Sequence, residues 1–303
     1  MRGIAELLLF PLIFFGTLAG YWLATAGGVD AGVALLIVTI ANFSAVAGLE
    51  LVFPHRRDWL WTSDGQVAND IVHGLALVLI GGRLGELLLA SATAIIAASI
   101  ADRAGGSLWP GAAPLWVQIG LVVLFADFVD WAKHWLYHNS PLWRVHALHH
   151  NSTRMHIAKA GRLHFLEATI RHAVIAVPLI ALGAPGDVLI WYAVIVNALG
   201  NLNHSNLAMR VPHWLDRAFA TPAVHRLHHA NDPDLGRSNL SAVTMLPDHL
   251  FGTWRDPAKH PVYEVGIADD PLPGGLIGQL ASPVIWPVLV RNRETGRAVE
   301  GVH

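Results

Sequence analysis

Cysteine is absent from the 303 residues, and Asp, Glu, Lys and Arg together make up only 14% of them. The lack of cysteine excludes disulfides, thiolate zinc sites, iron–sulfur clusters and c-type haem attachment. Any metal must therefore be held by nitrogen and oxygen. A soluble globular domain carries roughly 25% charged residues. The shortfall, with 53% hydrophobic residues and a mean hydropathy of +0.45, points to an integral membrane protein. A formal net charge of −2 leaves no basic field for nucleic acid. Internal repeats and low-complexity segments are also lacking.

What the chain has instead is long apolar runs. About 20 apolar residues cross a bilayer as a helix, and runs of that kind lie at 4–24, 31–53, 67–100 and 115–137. An apolar hairpin, 165–182 and 187–202, turns at Gly183-Ala184-Pro185-Gly186. The run 67–100 is too long for a simple span. Its Gly81-Gly82-Arg83-Leu84-Gly85-Glu86 stretch bends it or divides it, with Arg83 and Glu86 placed to pair at i,i+3. Ala24-Thr25-Ala26 matches a signal-cleavage pattern, but the run before it is long for that purpose and includes Glu6, so 4–24 reads as a retained span. Segments 211–221 and 276–290 read as amphipathic helices in the membrane interface. Arg2, Arg56, Arg57, Lys133, Arg144, Arg154, Lys159 and Arg162 fall on one side of these spans, against Arg103 on the other. The positive-inside rule then puts both termini in the cytoplasm. The expected fold is all-α, an integral membrane helical bundle of about four to six spans with a cytosolic, histidine-rich metal-binding cap.

Histidine carries the chemistry. Eight of the 18 histidines stand in three clusters: His134 and His138 as H-x-x-x-H, then His146, His149 and His150, and later His225, His228 and His229, each as H-x-x-H-H. Imidazole suits zinc, copper, iron and nickel. Eight rings are too many for one ion, because a structural zinc takes about four ligands in all. The count fits two metals, and the chain must fold back to bring the last cluster to the first. On a helix, i, i+3 and i+4 share a face, so each H-x-x-H-H turn presents three rings on one side. Asp127 and Asp130 precede His134 on its own face. Either is placed to accept a ligand histidine's free N–H, which would fix the tautomer and raise basicity. His164 and His204, at ends of the hairpin, are further candidate ligands. His172 reads as a polar core or access-channel residue. His55, His73, His213, His260 and His303 read as surface or interfacial. H-E-x-x-H is absent, which argues against a membrane zinc hydrolase. A membrane zinc or iron transporter or sensor is the competing class, and the gathering of all three clusters at one face argues against it.

From Asp127 to Trp254 the chain resembles the fatty acid hydroxylase superfamily of membrane di-iron enzymes. Asp127-Phe128 precedes His134 and His138, and Leu142-Trp143-Arg144 leads into His146, His149 and His150. Arg162-Leu163-His164 with Glu167 is similar to the family's R-x-H-P-x-E, and Thr221-Pro222 leads into His225, His228 and His229. Asn239 and Asp248 are followed by Leu250-Phe251-Gly252-Thr253. The chain departs from the family at Trp135 for Arg, His156 for Asn, Phe165 for Pro, Asn239-Leu240-Ser241 for N-Y-G and Pro247-Asp248 for W-D.

The resemblance implies two iron ions, for which zinc can substitute in a purified sample. It implies dioxygen-dependent hydroxylation of a fatty acyl, sterol-like or sphingolipid-like molecule. Desaturation is the alternative outcome, since both reactions begin with the same hydrogen abstraction. Asp127, Asp130 and Asn239 are the expected catalytic support beside the ligand set. The expected division is an N-terminal transmembrane region at 1–114, a catalytic region at 115–256 and a cytosolic or interfacial tail at 257–303. No G-x-G-x-x-G dinucleotide fingerprint is present, so the reaction calls for a separate electron donor, a ferredoxin or a b-type cytochrome with its reductase.

Overall fold

Apolar backbone that meets lipid must satisfy its own N–H and C=O groups, and the α-helix does so within one segment. The structure, a computed structural model, describes residues 2–295, and His303 lies outside them. Its long helices are α1 (Arg2–Ala26), α2 (Ala31–Val52), α3 (Val67–Ala104), α4 (Leu115–Asn139), α6 (Phe165–Leu182), α7 (Gly186–His204) and α11 (Leu276–Thr295). Short helices α5 (Trp143–His150), α8 (His213–Ala218), α9 (Pro222–His228) and α10 (Leu246–Phe251) lie between them. Among the described residues there is no strand, only isolated β-bridges such as Phe219 with Thr244.

Among the described residues five helices, α1 to α4 and α6, are long and apolar enough to cross a membrane. Leu12, Phe15, Leu79, Leu87 and Ile95 point outward along α1 and α3, as they would against hydrocarbon. The sixth expected span, α7, forms as a helix but falls outside that set, because Asn197, Asn201 and Asn203 interrupt its apolar run. It is instead the central post, packed against α1, α2 and α4. Val194 meets Tyr21, Ala34 and Val38, while Val188 and Tyr192 join Val122, Ala126, Ile175 and Leu179.

The bend expected near Gly81 takes another form. Helix α3 continues through a π turn at Leu77–Gly82, and α6 has its own at His172–Ala176. Arg83 and Glu86 pair at 2.6 Å, as their spacing suggests. The interfacial helix expected at 211–221 shrinks to α8, flanked by Pro212 and by Phe219, whose backbone turns extended to bridge Thr244. His73, expected at the surface, is fully buried and bonds Gln279 of α11 through Nε2 at 3.0 Å.

Buried carboxylates fasten the segment after α5 to this bundle. Asp70 accepts from Lys159 Nζ and Arg162 Nη1, both at 2.7 Å. Glu50 accepts from the backbone N–H groups of Ile157 and Asn206, at 2.9 and 2.8 Å. These bonds fix the height of residues 156–162 against the helices.

Gly81 packs directly on the backbone of α6: a Cβ there would overlap the Phe165 carbonyl oxygen. Gly81→Ala is expected to lower stability by about 1–3 kcal/mol, the usual cost of overpacking. Gly48→Ala, inside α2 with nothing within 4 Å, serves as the control and is expected to keep or raise stability. Thermal unfolding in detergent measures both; equal midpoints would contradict the close approach.

Candidate metal centre

Four short stretches of backbone converge below the ends of the long helices. Helix α4 ends at Asn139, and Ser140 accepts the Leu142 N–H at 3.2 Å to turn the chain into α5. Helix α9 starts at Pro222, whose missing N–H is harmless there, and Thr221 accepts the Val224 N–H at 3.4 Å. His204 is the last residue of α7.

Nine imidazoles meet in two nests. One holds His134, His138, His146, His150 and His228, and the other His149, His204, His225 and His229. Within each nest the candidate ligand atoms lie within 4.8 Å of one another. The nests share a wall, where His150 stacks on His229 with ring centroids 4.3 Å apart. Each H-x-x-H-H turn is divided between them. Its i and i+4 rings serve one nest and its i+3 ring the other, so the three rings do not serve one ion together, as helical phase alone suggests.

The hydrogen bonds define where the protons are. His134, His149, His204 and His228 donate from Nδ1 to the carbonyl oxygens of Leu240 (2.7 Å), Arg162 (3.3 Å), Gly200 (2.8 Å) and Ser238 (2.9 Å). A carbonyl oxygen can only accept, so Nδ1 carries the proton and each neutral ring presents a bare lone pair at Nε2. His146 Nδ1 pairs with Glu167 Oε2 at 3.0 Å, donating to it when that carboxyl is ionised. The Nε2 atoms of His134 and His146 then stand 3.0 Å apart, and those of His149 and His204 3.2 Å apart. Two bare lone pairs at that distance repel and cannot share a hydrogen. Nε2 of His138 and of His228 are buried with no hydrogen-bond partner among the described residues. Both nests could therefore hold cations, and an all-imidazole donor set suits first-row transition ions. Burial and the neighbouring rings hold His146, His149, His150, His225 and His229 well below the ordinary histidine value, and burial lowers His228 to about 4. These rings are neutral at pH 7, the state in which imidazole binds a metal.

His164 joins neither nest. Its Nε2 bonds the Leu280 carbonyl oxygen at 3.0 Å and its Nδ1 accepts the Leu166 N–H at 3.3 Å, capping α6. Asp127 and Asp130 do not touch a ligand histidine either. Asp130 accepts from Lys133, Arg171 and Tyr192. Asp127 accepts the N–H groups of Val243 and Thr244 at 2.9 and 2.6 Å. Asp248 accepts those of Leu240 and Ser241, both at 2.8 Å. Asn239, at φ 56°, binds Arg255 on both sides of its amide. Asp127, Asp248 and Asn239 thus hold the loop 238–244, whose Ser238 and Leu240 carbonyls aim His228 and His134. Glu167 is the acceptor that sequence reasoning left without a role; its only signal is its place in the Arg162-Leu163-His164 stretch.

Space adjoins the nests on two sides. A cavity of about 290 Å³ is lined by His134, His146, His149, His204 and His225 together with Asp130, Lys133 and Arg171. A cleft of about 550 Å³ reaches His138 and His150 past Trp143 and Arg237.

Residues 119–253 match the family model for fatty acid hydroxylase. Ornithine lipid hydroxylase OlsE of Rhizobium tropici is 31% identical over 251 residues, 82% of this chain and 74% of the relative. Very-long-chain aldehyde decarbonylase GL1-6 of Oryza sativa, in subspecies indica and japonica, is 28% identical over 170 residues, 50% of this chain but 26% of that protein. No solved structure matches the chain.

His204→Ala is expected to lower the metal bound per chain, and His164→Ala to leave it unchanged, as elemental analysis of purified protein would show. Equal loss in both variants would contradict the division of the nests. The metal-free protein should also be sensitive to acid. Below the ordinary histidine value near 6.5, the unfolded chain binds protons that the buried rings refuse. Stability is then full above that pH and falls towards about 4, the value for His228. Unfolding curves from pH 7.5 to 4.5, with chelator present, test the slope.

Proposed function

Because the chain belongs to the fatty acid hydroxylase family, we propose that it is a membrane non-haem di-iron oxygenase that hydroxylates a C–H bond of a lipid. The observation that carries this reading is the pair of adjoining nests with bare, inward-facing Nε2 atoms. His134, His138, His146, His150 and His228 would hold one iron, and His149, His204, His225 and His229 the other. When bound, such a pair supplies the reduction of dioxygen and the oxidation of an unactivated carbon. The overall reaction takes RH, dioxygen, two electrons and two protons to ROH and water.

The chain's own task is positional. Backbone carbonyls and Glu167 fix the tautomers of His134, His146, His149, His204 and His228 before any ion arrives. The cavity beside His134 and His204 holds the target carbon against the centre and limits water around it. The cleft past Trp143 offers a separate approach for an external donor, a ferredoxin or a b-type cytochrome with its reductase. Closed nests beneath backbone acceptors support a resident metal centre over metal in transit. The relative's name, ornithine lipid hydroxylase, supports hydroxylation as the outcome. On this reading 1–114 anchors the chain in the bilayer, 115–256 is catalytic and 257–303 is a cytosolic or interfacial tail. The excess of Lys and Arg on one side supports a cytoplasmic metal centre and termini.

The test is mass spectrometry of lipids from cells with and without the protein, grown under labelled dioxygen. One lipid is expected to gain a single labelled oxygen in a protein-dependent way. Loss of two hydrogens without added oxygen would make the enzyme a desaturase. No protein-dependent lipid change, from iron-loaded protein with a reductant, would overturn the proposal.

A further inference from the structure

Two cations and two carboxylates line the cavity beside the nests, but they are not paired one to one. Lys133 of α4 and Arg171 of α6 turn to one carboxylate, with Lys133 Nζ 2.6 Å and Arg171 Nη2 3.1 Å from Asp130. The same Nη2 donates to the Tyr192 hydroxyl at 2.8 Å. Among the described residues no acceptor stands against Arg171 Nε or Nη1, and its side chain is 34% exposed in a cavity-lining position. Glu167, the other carboxylate in the lining, is committed to His146. A guanidinium stays charged at any pH of interest. Lys133 and Arg171 thus share one carboxylate, and Arg171, in the cavity lining, keeps donors to spare for an anion. The free edge of Arg171 is the flat fork that takes two oxygens of a carboxylate or phosphate side by side.

Position and size narrow this further. Arg171 lies four residues beyond Glu167 on α6, roughly 6 Å of helical rise, so an anion on it sits one turn from the ring of His146. The cavity of about 290 Å³ holds roughly ten water-sized groups at about 30 Å³ each. That is room for a head group and its first carbons, not for a whole lipid.

We propose that the substrate is a lipid with an anionic group of its own, a carboxylate or a phosphate, held by Arg171 with Lys133, and that the carbon oxidised lies a few bonds from that group and not far along the acyl chain. This rests on the reading of the chain as a lipid oxygenase. Arg171 is then a specificity-determining residue, and lipids without an anionic group are poor substrates.

The test uses iron-loaded, full-length protein with a chemical reductant. Its probe is the total lipid of cells lacking the protein, separated by anion exchange into acidic and neutral fractions in phosphatidylcholine vesicles. Labelled dioxygen is expected to enter a lipid of the acidic fraction, and the mass of that lipid distinguishes carboxylate from phosphate. Arg171→Gln should raise KM for it at least tenfold with kcat within about threefold, and Arg171→Lys should recover part of the loss. The acidic lipid that copurifies with metal-free protein should fall by a similar factor in Arg171→Gln. Oxygen entering only a neutral lipid, or an unchanged KM and unchanged lipid retention in Arg171→Gln, would overturn this inference and leave the oxygenase reading intact. No labelled lipid from either fraction would instead overturn the oxygenase reading and this inference with it.

Discussion

The whole site depends on one kind of hydrogen bond, from an imidazole Nδ1 to a backbone carbonyl. Four such bonds, at His134, His149, His204 and His228, place the proton on the outer nitrogen and the lone pair on the inner one. Without them a buried imidazole could turn or take the other tautomer, and the nests would become ordinary polar core. With them, inner nitrogens face each other at distances where only a cation makes sense of the contact. The energetics of the surrounding fold serve this aim. Asp70 and Glu50 fix the segment that contains the Arg162 carbonyl, and α7 supplies the Gly200 carbonyl from within its own last turn.

The division of each H-x-x-H-H turn ties the two nests together. A helix places i and i+4 nearly in line and i+3 to one side, and the structure uses that offset. His146 and His150 face one nest while His149 faces the other, and His225 and His229 face one while His228 crosses over. Neither α5 nor α9 can shift without disturbing both nests. The same two short helices therefore fix the spacing of the two nests.

Much of this was legible in the residues, and the rest was hidden for physical reasons. Apolar length gave five of the long helices, and histidine spacing gave eight of the nine rings in the nests, with His204 a further candidate from its position at the end of the hairpin. His164 looked equivalent to His204, but its role is to cap α6, and capping depends on the direction of a single side chain. Asp127 and Asp130 share a face with His134, yet Asp127 is taken by the Val243 and Thr244 N–H groups and Asp130 by Lys133, Arg171 and Tyr192, partners that only the folded chain supplies. The acceptors actually used are mostly carbonyl groups, which every residue has and no sequence pattern displays. Glu167, 21 residues from the ring it holds, could be found only by folding the chain.

Asn239, the left-handed residue between Ser238 and Leu240, gives the centre an inherent asymmetry. The carbonyls on either side of it serve His228 and His134, two rings of the same nest. The other nest draws its acceptors from Arg162 and from α7, which belong to separate parts of the scaffold. One nest thus owes two of its ring orientations to a single buried loop, while its neighbour takes its own from two unconnected parts of the scaffold. A disturbance of the backbone at 239 would therefore reach His228 and His134 together.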